Sequence, residues 1–139
     1  MYYIIIEQTS EHRKRMAYDP KANAFFETEH DSLFFHRGFT YPYGWLKGFG
    51  TPPGEHLDVF LLSQEKYALG EKLPIKIVGV FKRNDGDHKL IGISPKRAES
   101  DFSQLPEHEK SALYKLYPHV GEGEGWFGAE TAKDIIADF

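Results

Sequence analysis

The sequence predicts an α+β protein: a small, highly twisted or closed, mainly antiparallel β-sheet followed by two C-terminal helices. Two observations predict it. Short β-branched and aromatic runs punctuated by Gly, Pro, Asn and Asp fill the chain up to Ser94, and apolar stripes at helical spacing occur only after Leu105. Strands first and helices after argue against a doubly wound parallel sheet.

The elements follow in order. Tyr2–Glu7 reads as a first strand, and Glu11–Arg15 as a charged patch. Asp19-Pro20-Lys21-Ala22-Asn23 is a turn, since Pro presets φ and Asn tolerates tight backbone. Ala24–Glu29 and Ser32–Arg37 read as short strands joined through His30-Asp31, a hairpin. Gly38–Phe49, aromatic and glycine-punctuated, reads as irregular strand and loop, and Thr51-Pro52-Pro53-Gly54 as a rigid turn. Leu57–Ser63 is an apolar run bounded by turn chemistry, hence a buried strand. Gly70–Pro74 is a connection. Ile75–Arg83 alternates, Asp85-Gly86 turns, and Lys89–Ser94 returns, which is the clearest hairpin of the chain. Leu105–Tyr117 is helical, with Pro106 in its first turn and Pro118 stopping it. Ala132, Ile135, Ile136 and Phe139 form a second helical stripe, which Trp126 anchors.

The bulk properties exclude several function classes. The 139 residues suit one domain spanning residues 1–139. There is no cysteine, so disulfides and thiolate metal sites are excluded, in keeping with a cytoplasmic protein. A net charge of −4 gives no basic footprint for nucleic acid. No apolar run approaches the ~20 residues of a membrane span.

Two acidic segments carry the chemistry. Gly54-Glu55-His56-Leu57-Asp58-Val59 sets two carboxylates three residues apart at the start of an apolar run. Asn84-Asp85-Gly86-Asp87-His88-Lys89 sets two more, and a lysine, at alternate positions that share one face of a strand. Carboxylates suit a hard divalent cation and lysine suits a phosphate. Taken alone, solvated charges at an Asp-Gly hairpin account for the second segment as well. A turn acid and a strand-start acid account for the first, and an aromatic turn for Tyr41-Pro42-Tyr43-Gly44. His56 and His88 lie inside the two segments, where exposed or stacking imidazoles are the plainer reading and a softer metal such as Mn²⁺ or Zn²⁺ the alternative.

Order and spacing add to these readings. Tyr41-Pro42-Tyr43-Gly44, Gly54-Glu55-His56-Leu57-Asp58-Val59, Val78-Gly79-Val80, Asp85 and Asp87-His88-Lys89 together resemble the family I soluble inorganic pyrophosphatases. The tail from Tyr117 through Gly125-Trp126 resembles them too. The resemblance implies a small barrel similar to an oligonucleotide-binding fold, and hydrolysis of pyrophosphate to two phosphates by a water activated on Mg²⁺, with Mn²⁺ as another divalent choice. It implies that Asp58 bridges two metals, with Asp85 and Asp87 as further ligands. Lys89 then binds phosphate, Tyr43 and Tyr117 hydrogen-bond phosphate oxygens, and Arg15 takes the place of a phosphate-binding lysine. Glu55 falls where an aspartate acts on the attacking water, with Tyr41 the aromatic near it. The family's assembly habit, together with the many aromatics, implies a homo-oligomer.

The departures are specific. An aspartate expected before the Gly-acid pair is Pro53, Glu55 is one methylene longer than its counterpart, an Asp-Glu pair reads Asp85-Gly86, and a late lysine is Pro118. The family's early glutamate falls on Ala17, and its early arginine has no clear counterpart, Arg37 being the nearby cation. Two readings therefore stand. One is a divergent pyrophosphatase, or a hydrolase of another phosphoanhydride. The other is a non-catalytic domain that binds phosphate or a protein.

Overall fold

The computed structural model describes residues 1–139. Five strands close a barrel: β1 (Tyr2–Gln8), β4 (Tyr43–Gly50), β5 (His56–Leu61), β7 (Lys89–Ile93) and β6 (Lys72–Lys82), in that spatial order, with β6 pairing back onto β1. All of these pairings are antiparallel except β5 with β7. A short strand β8 (Gly125–Gly128) extends the sheet from β6, and β2 (Lys14–Asp19) with β3 (Ala24–Asp31) forms a separate hairpin. The expected barrel and its two C-terminal helices, α2 (Glu107–Leu116) and α3 (Ala129–Asp138), are present.

The strand alternation sorts the side chains into two cores. Ile4, Ile6, Leu46, Leu57, Val59, Leu61, Val80 and Leu90 come from all five barrel strands and fill its interior, which Ala132 and Ile136 of α3 close off. The alternate residues Phe60, Ile91 and Ile93 face outward, joined by Val78 at a register shift in β6, and Leu113 and Leu116 of α2 cover them. Period-2 alternation with both faces apolar explains why β5 and β7 read as continuous hydrophobic runs.

Two local expectations are corrected. The early hairpin pairs Lys14–Asp19 with Ala24–Asp31 through the Pro20–Asn23 turn, not Ala24–Glu29 with Ser32–Arg37. The segment after Ser32 is instead a one-turn helix, α1 (Leu33–His36). Ser32 Oγ accepts a hydrogen bond from the Phe35 N–H, and Gly38 ends the turn at φ +67°. Capping here outweighs the β propensity of Leu33-Phe34-Phe35.

The β2–β3 hairpin is docked onto the barrel by polar and aromatic contacts. Gln8 accepts from the Met16 N–H at 2.7 Å, and Tyr18 and Phe25 pack on Trp45 at 5.1 and 6.1 Å. Trp126 lies on β8 and stacks on Phe81 at 4.5 Å, fixing the strand that feeds α3. No helix is long and apolar enough to cross a membrane.

Candidate active site

The site lies on the outer face of the barrel wall, in a cleft between the β2–β3 hairpin, β1 and the end of α2. Two adjoining hollows of about 340 and 310 Å³ share Glu7, Arg15, Tyr43, Asp87 and Lys89. Asp58 and His56 line one of them, Arg83 and Tyr117 the other.

Asp58 and Lys89 are register partners on the parallel pair β5–β7, so their side chains leave the same face side by side. Both are buried. Lys89 Nζ donates to Asp58 Oδ2 at 2.6 Å, to Asp87 at 3.1 Å and to the Tyr43 hydroxyl at 3.2 Å. His56 Nε2 lies 2.8 Å from Asp58 Oδ1, and its Nδ1 lies 2.6 Å from the Gly54 carbonyl oxygen. Burial alone would raise the Asp58 pKa. The hydrogen bond from His56 and the charge of Lys89 overcome it and hold Asp58 at about 2. The same hydrogen bond lifts His56 to about 8 against burial.

Glu7 reaches the cleft through a bulge in β1. Register slips between Ile6 and Gln8, so the consecutive residues Glu7 and Gln8 both line it, where a regular strand would send them to opposite faces. Burial, then the nearby Asp58 carboxylate, raises the Glu7 pKa to about 7. Its place at the end of an apolar strand gave no sequence signal. Arg83 is another lining residue the motifs missed. Its guanidinium lies over the Tyr117 ring at 5.7 Å and 3.8 Å from the Asp87 carboxylate. Tyr117 in turn stacks on Phe81 at 4.9 Å.

The structure thus brings together Arg15, Tyr43, Asp58, Asp87, Lys89 and Tyr117 of the residues singled out by sequence. It does not bring in the other three. Glu55 is exposed and lines neither hollow. Tyr41 is buried in the outer core against Phe39 at 5.4 Å. Asp85 is exposed, and its Oδ1 accepts from the Asp87 N–H at 2.9 Å, so it builds the turn at Gly86. His88 likewise serves the turn, its Nδ1 accepting from the Arg83 N–H at 2.9 Å.

A closed mixed barrel with cations, tyrosines and carboxylates gathered on its outer wall defines a class, that of small barrel proteins with a charged surface cleft. The family can be stated as well. The sequence model of the inorganic pyrophosphatases matches residues 4–139, and the chain belongs to that family, which is a family of hydrolases. The inorganic pyrophosphatase of Aeropyrum pernix is 25% identical over 122 residues, covering 74% of this chain and 69% of that protein. That of Sulfolobus acidocaldarius is 22% identical over 121 residues, covering 75% and 70%. Among solved structures, an inorganic pyrophosphatase from Neisseria gonorrhoeae superposes with a TM-score of 0.78 at 23% identity, covering 98% of this chain and 87% of that one. The Thermus thermophilus enzyme gives 0.68 at 19%, covering 97% and 86%. These structural likenesses establish the fold.

Membership implies a divalent metal and pyrophosphate as substrate. The donor set here does not fit a resident metal cluster. No three His, Asp or Glu side chains converge as a metal would need. Both oxygens of Asp58 are taken by cationic partners, Pro53 lines the cleft without a donor, and Asp85 and Glu55 lie outside it.

Proposed function

We propose that the cleft binds inorganic pyrophosphate and hydrolyses it to two phosphates. The observation that supports this best is the position of Lys89. It is held between Asp58 and Asp87 beneath the Tyr43 hydroxyl, with Arg15, Arg83 and Tyr117 on the same cleft. Fixed cations and hydroxyls on one wall suit an anion whose charge is spread over several oxygens.

In this reading Lys89, Arg15 and Arg83 hold phosphate oxygens, and the Tyr43 and Tyr117 hydroxyls orient them. Water attacks one phosphorus, the bond from that phosphorus to the bridging oxygen breaks, and the second phosphate leaves. Glu7, with a pKa of about 7, is suited to take the proton of the attacking water near neutrality. The divalent ion proposed is Mg²⁺, with Mn²⁺ as substitute. When bound it neutralises phosphate charge. Mg²⁺ commonly takes its ligands from substrate phosphates and one or two carboxylates rather than from an all-protein cage.

Phosphate release from pyrophosphate with Mg²⁺, with Mn²⁺ and with EDTA tests the proposal. No release with either ion across pH 6–9 removes it. The second reading, a phosphate- or protein-binding domain without turnover, draws its support from the ion-paired state of Asp58, and a hydrolase of another phosphoanhydride is the remaining alternative.

A further inference from the structure

We propose that this cleft binds its phosphate-bearing anion directly through Arg15 and Arg83, with the buried charge of Lys89 behind them and no divalent metal required, because His56 and Lys89 already occupy the oxygens a metal would use. The inference rests on reading the cleft as a phosphate site and goes beyond it by assigning the charge that holds the anion to the chain itself.

The geometry at His56 carries the argument. Its Nε2 faces a carboxylate oxygen at 2.8 Å and its Nδ1 faces a carbonyl oxygen at 2.6 Å. The ring therefore spans the Asp58 carboxylate and the Gly54 carbonyl and covers one of the two carboxylate oxygens. Lys89 Nζ lies 2.6 Å from the other oxygen of Asp58. Both oxygens of Asp58 are therefore engaged by side chains of this chain. A divalent ion reaching Asp58 has to displace one of these short, charge-assisted bonds in a buried setting, which is costly.

The remaining charges of the cleft point the same way. The one further carboxylate of the hairpin side, Asp31, is held by Lys14 at 2.6 Å. Arg83 presents a planar guanidinium braced on the Tyr117 ring, a form suited to paired phosphate oxygens. Arg15, exposed on β2, lines the same hollow. The cleft thus sets Arg15, Arg83 and Lys89 among Glu7, Asp31, Asp58 and Asp87, with Asp31 paired to Lys14 and Asp58 and Asp87 to Lys89, so Arg15 is the cation the structure leaves without an ion pair.

The test is calorimetric titration of the full chain with pyrophosphate in EDTA and again with Mg²⁺, together with Mn²⁺ titration of the anion-free protein followed by electron paramagnetic resonance. Pyrophosphate is expected to bind in EDTA, with affinity falling as salt rises. Arg83→Gln, at a half-exposed position, is expected to weaken binding at least about fivefold by losing a charge-assisted contact. Lys89→Met is expected to abolish it. Binding that appears only with Mg²⁺ overturns this inference and leaves the phosphate-site reading standing. Absence of binding under both conditions overturns both. Unchanged affinity in a folded Arg83→Gln protein overturns the assigned contact, and micromolar Mn²⁺ binding without anion shows that the Asp58 oxygens are open, which overturns the metal-free site.

Discussion

Lys89 and Asp58 face each other across the one parallel pairing of the barrel, Nζ to Oδ2 at 2.6 Å, although 31 positions separate them in the chain. A parallel neighbour places both side chains on the same outward face without either strand having to bend. The pair is therefore a product of barrel topology, and its removal should be felt in chemistry before it is felt in shape.

Asp58→Asn separates binding from turnover. It leaves Lys89 and His56 without their shared counter-charge in a buried place, and breaking such a pair commonly costs about 3–5 kcal/mol. Phosphate release should fall further in Asp58→Asn than in Arg83→Gln, while pyrophosphate affinity should not weaken, because the cleft becomes more positive. Retained turnover in a folded Asp58→Asn protein would remove Asp58 from the working site.

The cleft should make stability depend on pH with a definite sign. Glu7 has a pKa raised from 4.5 to about 7, so its contribution is full below 4.5 and lost as pH rises through about 7. His56, raised from 6.5 to about 8, contributes fully below 6.5 and loses this as pH rises through about 8. Asp58, lowered from 3.8 to about 2, contributes above 3.8 and loses this as pH falls through about 2. Glu7 predicts a falling Tm between 4.5 and about 7, and His56 between 6.5 and about 8, in phosphate-free and metal-free buffer. Glu7→Gln should flatten the lower part of that slope. A Tm that climbs steadily toward pH 8 contradicts the burial of Glu7.

Gly44→Ala should open the seam beside Tyr43. A Cβ there would lie 1.8 Å from the Ile5 carbonyl oxygen on β1, and a backbone atom cannot turn aside as a side chain can. The strands must part, at a cost of roughly 1–3 kcal/mol or more by the usual scale of overpacking. Chemical denaturation should show the loss, together with weaker pyrophosphate binding, since β1 and β4 carry Glu7 and Tyr43.

Arg97→Gln should loosen the site from a distance. Arg97 grips buried Glu109 of α2 with both terminal nitrogens, at 2.7 and 2.8 Å. Without it Glu109 keeps a buried charge with no partner, again about 3–5 kcal/mol. The double change Arg97→Met with Glu109→Leu should recover most of the stability. If the double variant is as unstable as the single one, the unpaired charge is not the cause.

Local signals in the sequence sufficed where turn chemistry and strand period agreed. The Asp85-Gly86 turn between alternating runs gave β6 and β7, and apolar spacing after Leu105 gave α2 and α3. The first hairpin was misplaced because β2 is half exposed and mixes Lys14 and Arg15 with Met16 and Tyr18, so its alternation is faint. At the site, motif order singled out Asp58, Asp87 and Lys89, which lie together. It could not show that Asp85 spends its carboxylate on a turn, that Glu55 faces solvent, or that a bulge delivers Glu7. Those facts depend on hydrogen bonds and register between segments far apart in the chain.

The barrel closes where Tyr2–Ile5 of β1 meets Lys72–Ile75 of β6. During synthesis the first strand must wait until that sixth strand has left the ribosome, with Ile4 and Ile6 meanwhile lacking their interior neighbours. Glu7 sits at the end of this waiting strand, so the cleft forms only when the ring shuts. Such late, long-range pairing is slow, and it leaves the nascent chain exposed to aggregation. A permuted chain that starts after Gly70 and joins the old termini by a linker would make β1 follow its closing partner β6, and should fold at a different rate to the same cleft.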